Sequence, residues 1–176
     1  MSTNRVYPEA MADDLPPPPP TPSTPALETL PGHQIRRLQQ IAVGLFMEET
    51  AAHDLTPVQF AALATIVRQP GMDQRTLSRT IGFDTSTTAG VIDRLERRGL
   101  VLRQATPEDR RVRRLVATPD GEAALARVLP DMHRAQRRIL APLDAGERAQ
   151  FMALLDRLVA ANNDASRAPS QPEQAD

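Results

Sequence analysis

The chain has 176 residues, a length suited to one domain, with 40% hydrophobic but only 3% aromatic residues and a net charge of −1. Aliphatic side chains must build the core, and a module that stacks single-stranded bases on aromatic rings is disfavoured. With no cysteine, disulfides, thiolate metal sites, cysteine nucleophiles and thiol redox sensing are excluded. No apolar run approaches the ~20 residues that span a bilayer. The N-terminus lacks the apolar core of a signal peptide, so a cytoplasmic protein is expected. Lysine is absent and arginine supplies the basic charge. Its fixed charge and planar fork suit phosphate and guanine, although a GC-rich genome gives the same bias.

Residues 1–31 hold nine of the 17 prolines, including the run Pro16 to Pro20. This composition predicts a disordered or polyproline-like tail, and residues 165–176 read as a second tail. Between them, 32–164 reads as one folded domain. A first helix is predicted from Gly32 to about His53, with Ile35, Leu38, Ile41, Ala42, Leu45 and Phe46 on one stripe. Thr56-Pro57-Val58-Gln59 offers an N-cap, a proline at the first helical position and a capping box. The second helix therefore runs from Pro57 to Arg68, ended by Pro70-Gly71. A short third helix covers Asp73 to Thr80. A fourth starts after Asp84 or Thr85 and stops at Gly99. Leu100 to Arg103 and Arg113 to Ala117 read as two short strands. A fifth helix opens at Thr118-Pro119, with Pro130 expected to kink or interrupt it. Asp144 and Glu147 open a sixth.

Short helix, turn, helix and two-strand hairpin, in that order, make a winged helix-turn-helix over 56–118. The expected fold class is mainly α with a small β-hairpin wing. Arg68 to Thr118 holds eleven arginines against six carboxylates, a positive excess inside a chain that is slightly negative. A localised basic patch is the electrostatic footprint of nucleic-acid binding. On the fourth helix, Ile92 and Leu95 in the core would turn Ser86, Thr87, Gly90, Arg94 and Arg97 outward. The candidate DNA-contacting set is Arg75, Thr85, Ser86, Thr87, Thr88, Gly90, Arg94, Arg97, Arg110, Arg111 and Arg113. A second reading has Ser86 and Thr87 merely capping the helix, with the arginines on a solvated face. At the wing, Asp109 and Arg111 are two apart and can pair in extended chain. That pairing would stiffen the tip and leave Arg110 or Arg111 to reach a minor groove. An ordinary charged hairpin tip is the alternative.

Three stretches make the pattern specific: Asp84-Thr-Ser-Thr-Thr-Ala-Gly-Val-Ile-Asp-Arg-Leu-Glu-Arg-Arg-Gly-Leu-Val101, Pro107-Glu-Asp-Arg-Arg111, and Leu115 through Thr118-Pro-Asp-Gly-Glu122. They resemble the MarR family of transcription regulators, the likeness covering about 32–164. The resemblance implies a homodimer interlocked through helices in 32–53 and 119–164, binding palindromic double-stranded operator DNA. It also implies a ligand cavity between the dimer part and the DNA-binding lobes. Its wing Asp-Arg-Arg matches Asp109, Arg110 and Arg111. The proline-rich leader departs from the family pattern. Pro31 to Gln40 together with Gly82 to Thr88 further resembles repressors of aromatic-acid breakdown, notably those of nicotinate degradation that respond to a hydroxynicotinate.

From these residues, His33, Arg36, Arg37, Gln40 and Phe60 are candidates for a small aromatic acid effector, arginine taking the carboxylate bidentately. They read equally as surface or core residues. The histidines, His33, His53 and His133, do not sit at metal-ligand spacing, so no metal or other cofactor is expected. No catalytic set is found, so an enzyme is disfavoured. A repressor relieved by an aromatic acid is the first reading. A winged-helix regulator without small-molecule control is the second.

Overall fold

The computed structural model describes residues 25–105 and 113–166. The greater part of both expected tails, and the wing tip with Asp109, Arg110 and Arg111, lie outside the described residues. The chain divides into two compact units, one up to Ile35 and one from Arg36 onward. The described part of the first holds a 3-10 turn at Leu27–Thr29, with Gln34 Nε2 donating to the Glu28 carbonyl at 2.7 Å. Helix α1 spans Pro31–Glu49, so Pro31 belongs to the helix rather than to the tail.

In the second unit, α2 (Pro57–Arg68) begins as the residues dictate. Thr56 Oγ1 accepts from Gln59 N, Gln59 Oε1 accepts from Thr56 N, and Pro57 occupies the first turn. There follow β1 (Met72–Asp73), α3 (Gln74–Ile81), α4 (Thr85–Arg97), β2 (Val101–Ala105), β3 (Arg113–Ala117), α5 (Pro119–Ile139) and α6 (Ala145–Ala161). The strands pair antiparallel in the order β1-β3-β2, with Met72 and Arg103 both opposite Leu115. One core gathers Leu63 and Ile66 of α2, Leu77 of α3, Val91, Ile92 and Leu95 of α4, Val101 and Leu115 of the sheet, and Leu125 and Val128 of α5. This is a winged helix, mostly helical with a small sheet.

Several boundaries differ from the expectation, each for a physical reason. α1 stops at Glu49 rather than His53: the Thr50 hydroxyl and amide both bond the Phe46 carbonyl, and a 3-10 turn, Ala51–His53, leads to Asp54 at φ +51°. The sheet has three strands rather than two. β1 is too short to show a period, and only its pairing to Leu115 and the Gly71 amide bond to the Leu115 carbonyl identify it. Leu100 precedes β2, its carbonyl taken by the Thr118 amide at 3.1 Å. Gly99, at φ +71°, turns the chain from α4 into that strand. Pro130 does not interrupt α5, which runs through it. Pro130 and Ala126 are both exposed, so the carbonyl that the proline leaves unpaired faces water. Among the described residues no helix is long and apolar enough to cross a membrane, and no group of three or more His, Asp or Glu could hold a metal.

Candidate nucleic-acid interface

Helices α3 and α4 are set by paired aspartate caps. Asp73 accepts from Thr76 N at 2.7 Å, and Asp84 from Thr87 N at 2.8 Å. Gln74 Nε2 donates to the Thr85 carbonyl at 3.2 Å, tying the start of α3 to the start of α4. The Asp84 carboxylate also takes the Ser86 hydroxyl at 2.5 Å and the Thr87 hydroxyl at 2.7 Å. These bonds, Ser86's first and then Thr87's, hold its carboxyl far below the usual carboxylate range. Both hydroxyl hydrogens are thereby committed within the helix start, and their oxygens are left as acceptors. Capping and exposure coexist here: Thr85, Ser86 and Thr87 are all exposed.

The rest of the expected contact set divides. Arg75, Arg94, Arg97 and Arg113 are exposed, and Gly90 is half-buried. Thr88 is corrected: it is fully buried, its hydroxyl donating to the Asp84 carbonyl at 2.9 Å. It lies on the Val91–Leu95 side of the helix, where a small side chain with its polar atom satisfied can pack in the core.

Arg103 plays a role that the sequence pattern did not indicate. From β2 it donates to Asp93 Oδ1 at 2.5 Å and to Glu96, one turn apart on α4. The two acidic side chains of the second half of α4 thus share one arginine of the wing, which with Arg94 and Arg97 leaves that surface with an excess of one positive charge. The signal was available in part, since residues three apart on a helix face the same strand, but the pairing needs the register of β2. Arg94, Arg97 and Arg98 line, with Asp54, Thr56 and Gln59, an open notch of about 380 Å³ beside the start of α2. Arg94 and Arg97 sit in the C-terminal half of α4, about 10 and 15 Å along the axis from Thr87.

The effector candidates are less concentrated. On α1, His33 is half-buried while Arg36, Arg37 and Gln40 are exposed. Arg36 Nη1 donates to Gln40 Oε1 at 3.4 Å. Phe60 of α2 is half-buried against the core, its ring 5.6 Å from that of Phe46 in a tilted pair.

A model of the MarR family matches residues 55–112, from the residue before the α2 cap to the wing. The transcriptional regulator HosA of Escherichia coli is 32% identical over 134 residues, covering 76% of this chain and 98% of HosA. The chain belongs to the MarR family. Two solved structures agree with it. The PcaV transcriptional regulator of Streptomyces coelicolor, in complex with its natural ligand, superposes with a TM-score of 0.74 at 38% identity, over 79% of this chain and 98% of PcaV. The Bordetella bronchiseptica regulator BpsR, described in terms of regulation of its DNA binding by 6-hydroxynicotinic acid, gives 0.73 at 27% identity, over 77% and 96%. As a MarR-family member the chain is a transcriptional regulator and not an enzyme.

Proposed function

We propose that this regulator is a repressor that binds palindromic double-stranded operator DNA as a homodimer, and that a small aromatic carboxylate releases it. The observation that carries the DNA reading is α4 itself. Its first turn presents Thr85, Ser86 and Thr87 to solvent, and its last turns present Arg94 and Arg97 while Arg103 pairs with the neighbouring carboxylates of Asp93 and Glu96. Small side chains at the N-terminal end let a helix enter the major groove closely. Ser86 and Thr87, with their hydrogens given to Asp84, can accept from the amino groups of adenine or cytosine. Arg94 and Arg97 reach guanine or phosphate farther along, with Arg75 and Arg113 on the backbone. Arg110 and Arg111, which lie outside the described residues, complete the proposed contact.

The experiment is selection from random duplexes, followed by footprinting. An inverted repeat is expected, its half-sites about one helical turn, ~10 bp, apart. Arg94→Ala should relax preference at one position per half-site and weaken binding by ~1–3 kcal/mol. Retained preference in that variant would move Arg94 to phosphate contact, and an asymmetric single site would contradict the dimer.

The effector reading rests on likeness to regulators of this kind, PcaV with its natural ligand and BpsR with 6-hydroxynicotinic acid, and on the exposed Arg36 and Arg37 of α1. Arginine pairs a carboxylate bidentately and cannot deprotonate. Calorimetry with hydroxynicotinate and hydroxybenzoates should give binding that falls at least tenfold in Arg36→Ala/Arg37→Ala, the loss of about 1.4 kcal/mol. Binding by none of these acids would favour a regulator without small-molecule control.

A further inference from the structure

The C-terminal end of α4 is tied to a turn 44 residues earlier. Arg98, which follows α4, donates from Nη1 to the Asp54 carbonyl and from Nη2 to the His53 carbonyl at 3.4 Å. That turn has little freedom. Asp54 is the one described non-glycine residue at positive φ, +51°, a region that few side chains adopt. Thr50, just before it, is buried.

His53 points its ring the other way, to α5. Nε2 lies 2.7 Å from Asp131 Oδ2, and because a carboxylate only accepts, Nε2 carries the hydrogen. Asp131 Oδ1 also holds Arg134 Nη2 at 2.5 Å. Arg134 Nε reaches Glu49 Oε2 at 3.0 Å, and Arg138 Nη1 reaches Glu49 Oε1 at 2.6 Å. Glu49 is the last residue of α1. A continuous run of polar contacts therefore leads from the end of α4, through the 53–54 turn, to α5 and on to α1. The His53 and Asp131 side chains are each about four-fifths buried, so salt screens their pairing less than it would an exposed one.

We infer that the His53–Asp131 pair is a polar joint that, beside the shared core, sets the attitude of α4 relative to α1 and α5, and so positions the DNA-contacting helix without touching DNA. The inference rests on the DNA-binding reading above. Two recognition helices can match two half-sites only at a defined separation and angle, whereas non-specific phosphate contacts tolerate misalignment. Loosening the joint should therefore lower specific affinity and leave non-specific affinity alone.

The test compares binding of the full chain to its selected duplex and to a scrambled duplex, for Asp131→Ala, His53→Ala and the double variant, each first checked to be folded and dimeric. Each single variant is expected to bind the selected duplex about tenfold more weakly, within the range of measured coupling between distant sites. The scrambled duplex should bind as before, with an unchanged salt slope. The double variant should be no weaker than either single one, because the pair acts as a unit. Asp131→Glu should recover part of the loss. A folded, dimeric Asp131→Ala that keeps the parent's ratio of specific to non-specific affinity would overturn the proposal, as would additive losses in the double variant. If Asp131→Ala does not fold, Asp131→Leu, similar in shape but unable to accept from His53 Nε2, carries the same expectation. Failure of the parent chain to select any duplex would instead remove the DNA-binding reading, before any variant is made.

Discussion

Gly121→Ala is expected to destabilise the winged domain by about 3 kcal/mol, the upper end of what overpacking costs. Gly121 lies in the first turn of α5, where the helix is strapped onto the chain leaving α4. The Thr118 amide donates to the Leu100 carbonyl at 3.1 Å, the Thr118 hydroxyl to the Gly99 carbonyl at 2.6 Å, and Gly121 N to Thr118 Oγ1 at 3.0 Å. A Cβ on Gly121 would sit 2.1 Å from the Leu100 carbonyl oxygen and 3.0 Å from its carbon. These are backbone atoms and cannot swing away. Relief requires α5 to slide off the Gly99–Leu100 segment, which would pull Leu125 and Val128 from the core. The opposing gain, alanine's better helix propensity, is about 1 kcal/mol. Thermal unfolding followed by circular dichroism should show the midpoint lowered by about 10 °C. A midpoint equal to or above the parent's would mean that the close packing of α5 on Leu100 is wrong.

That glycine also marks the limit of what a sequence can say. Thr118-Pro119 announces the start of α5 because capping is local: donor and acceptor lie three residues apart. The same holds for Thr56 with Gln59 and for Asp144 with Glu147, and these helix starts were legible. The demand on Gly121 comes from Leu100, 21 positions away, and appears only when the start of α5 packs on the turn between α4 and β2. Strand β1 escaped for a similar reason, since Met72 is a strand residue only by virtue of Leu115. At the interface, the helical period placed Ile92 and Leu95 inside and Ser86, Thr87, Arg94 and Arg97 outside. It did not turn Thr88 inward, because a threonine whose hydroxyl is satisfied by Asp84 behaves as a small apolar side chain. Nor did the local charge excess reveal that Arg103 serves Asp93 and Glu96, or that Arg98 serves the 53–54 turn. Charge counts give the field of a segment and not the partner of each group.

Leu158→Glu is expected to convert a dimer into a monomer and to weaken specific operator binding by about a thousandfold. Helix α6 contains no buried residue within the single chain. Leu158 is 53% and Val159 64% exposed, and on α1 Ile41 is 49% exposed with Phe46 the one buried residue. A helix of 17 residues without a packed face is marginal in water, and each large aliphatic side chain gains ~1.5–3 kcal/mol when covered. In the proposed homodimer a second copy, joining α1 and α6 across a two-fold axis, would cover these side chains and set two α4 helices at a fixed spacing. A glutamate in that interface buries an unpaired charge. Losing the second lobe removes the effective concentration that makes the two half-sites bind together, worth ~10²–10⁴. Sedimentation of Leu158→Glu at micromolar concentration should give a monomer. A variant that remains dimeric with parental affinity would place the interface elsewhere.

The most direct test of the account is the affinity of the full chain for its selected duplex and for a scrambled duplex of equal length, each measured across a salt series. The proposed arrangement predicts specific binding at least ~10³ tighter than non-specific at physiological salt. It also predicts affinity that falls by ~10³–10⁵ between 50 and 200 mM salt, as arginines from two lobes release the counterions of about 6–10 phosphates. Equal affinity for the two duplexes, or a flat salt response, would contradict the claim that this regulator acts by gripping operator DNA through α4 and its arginines.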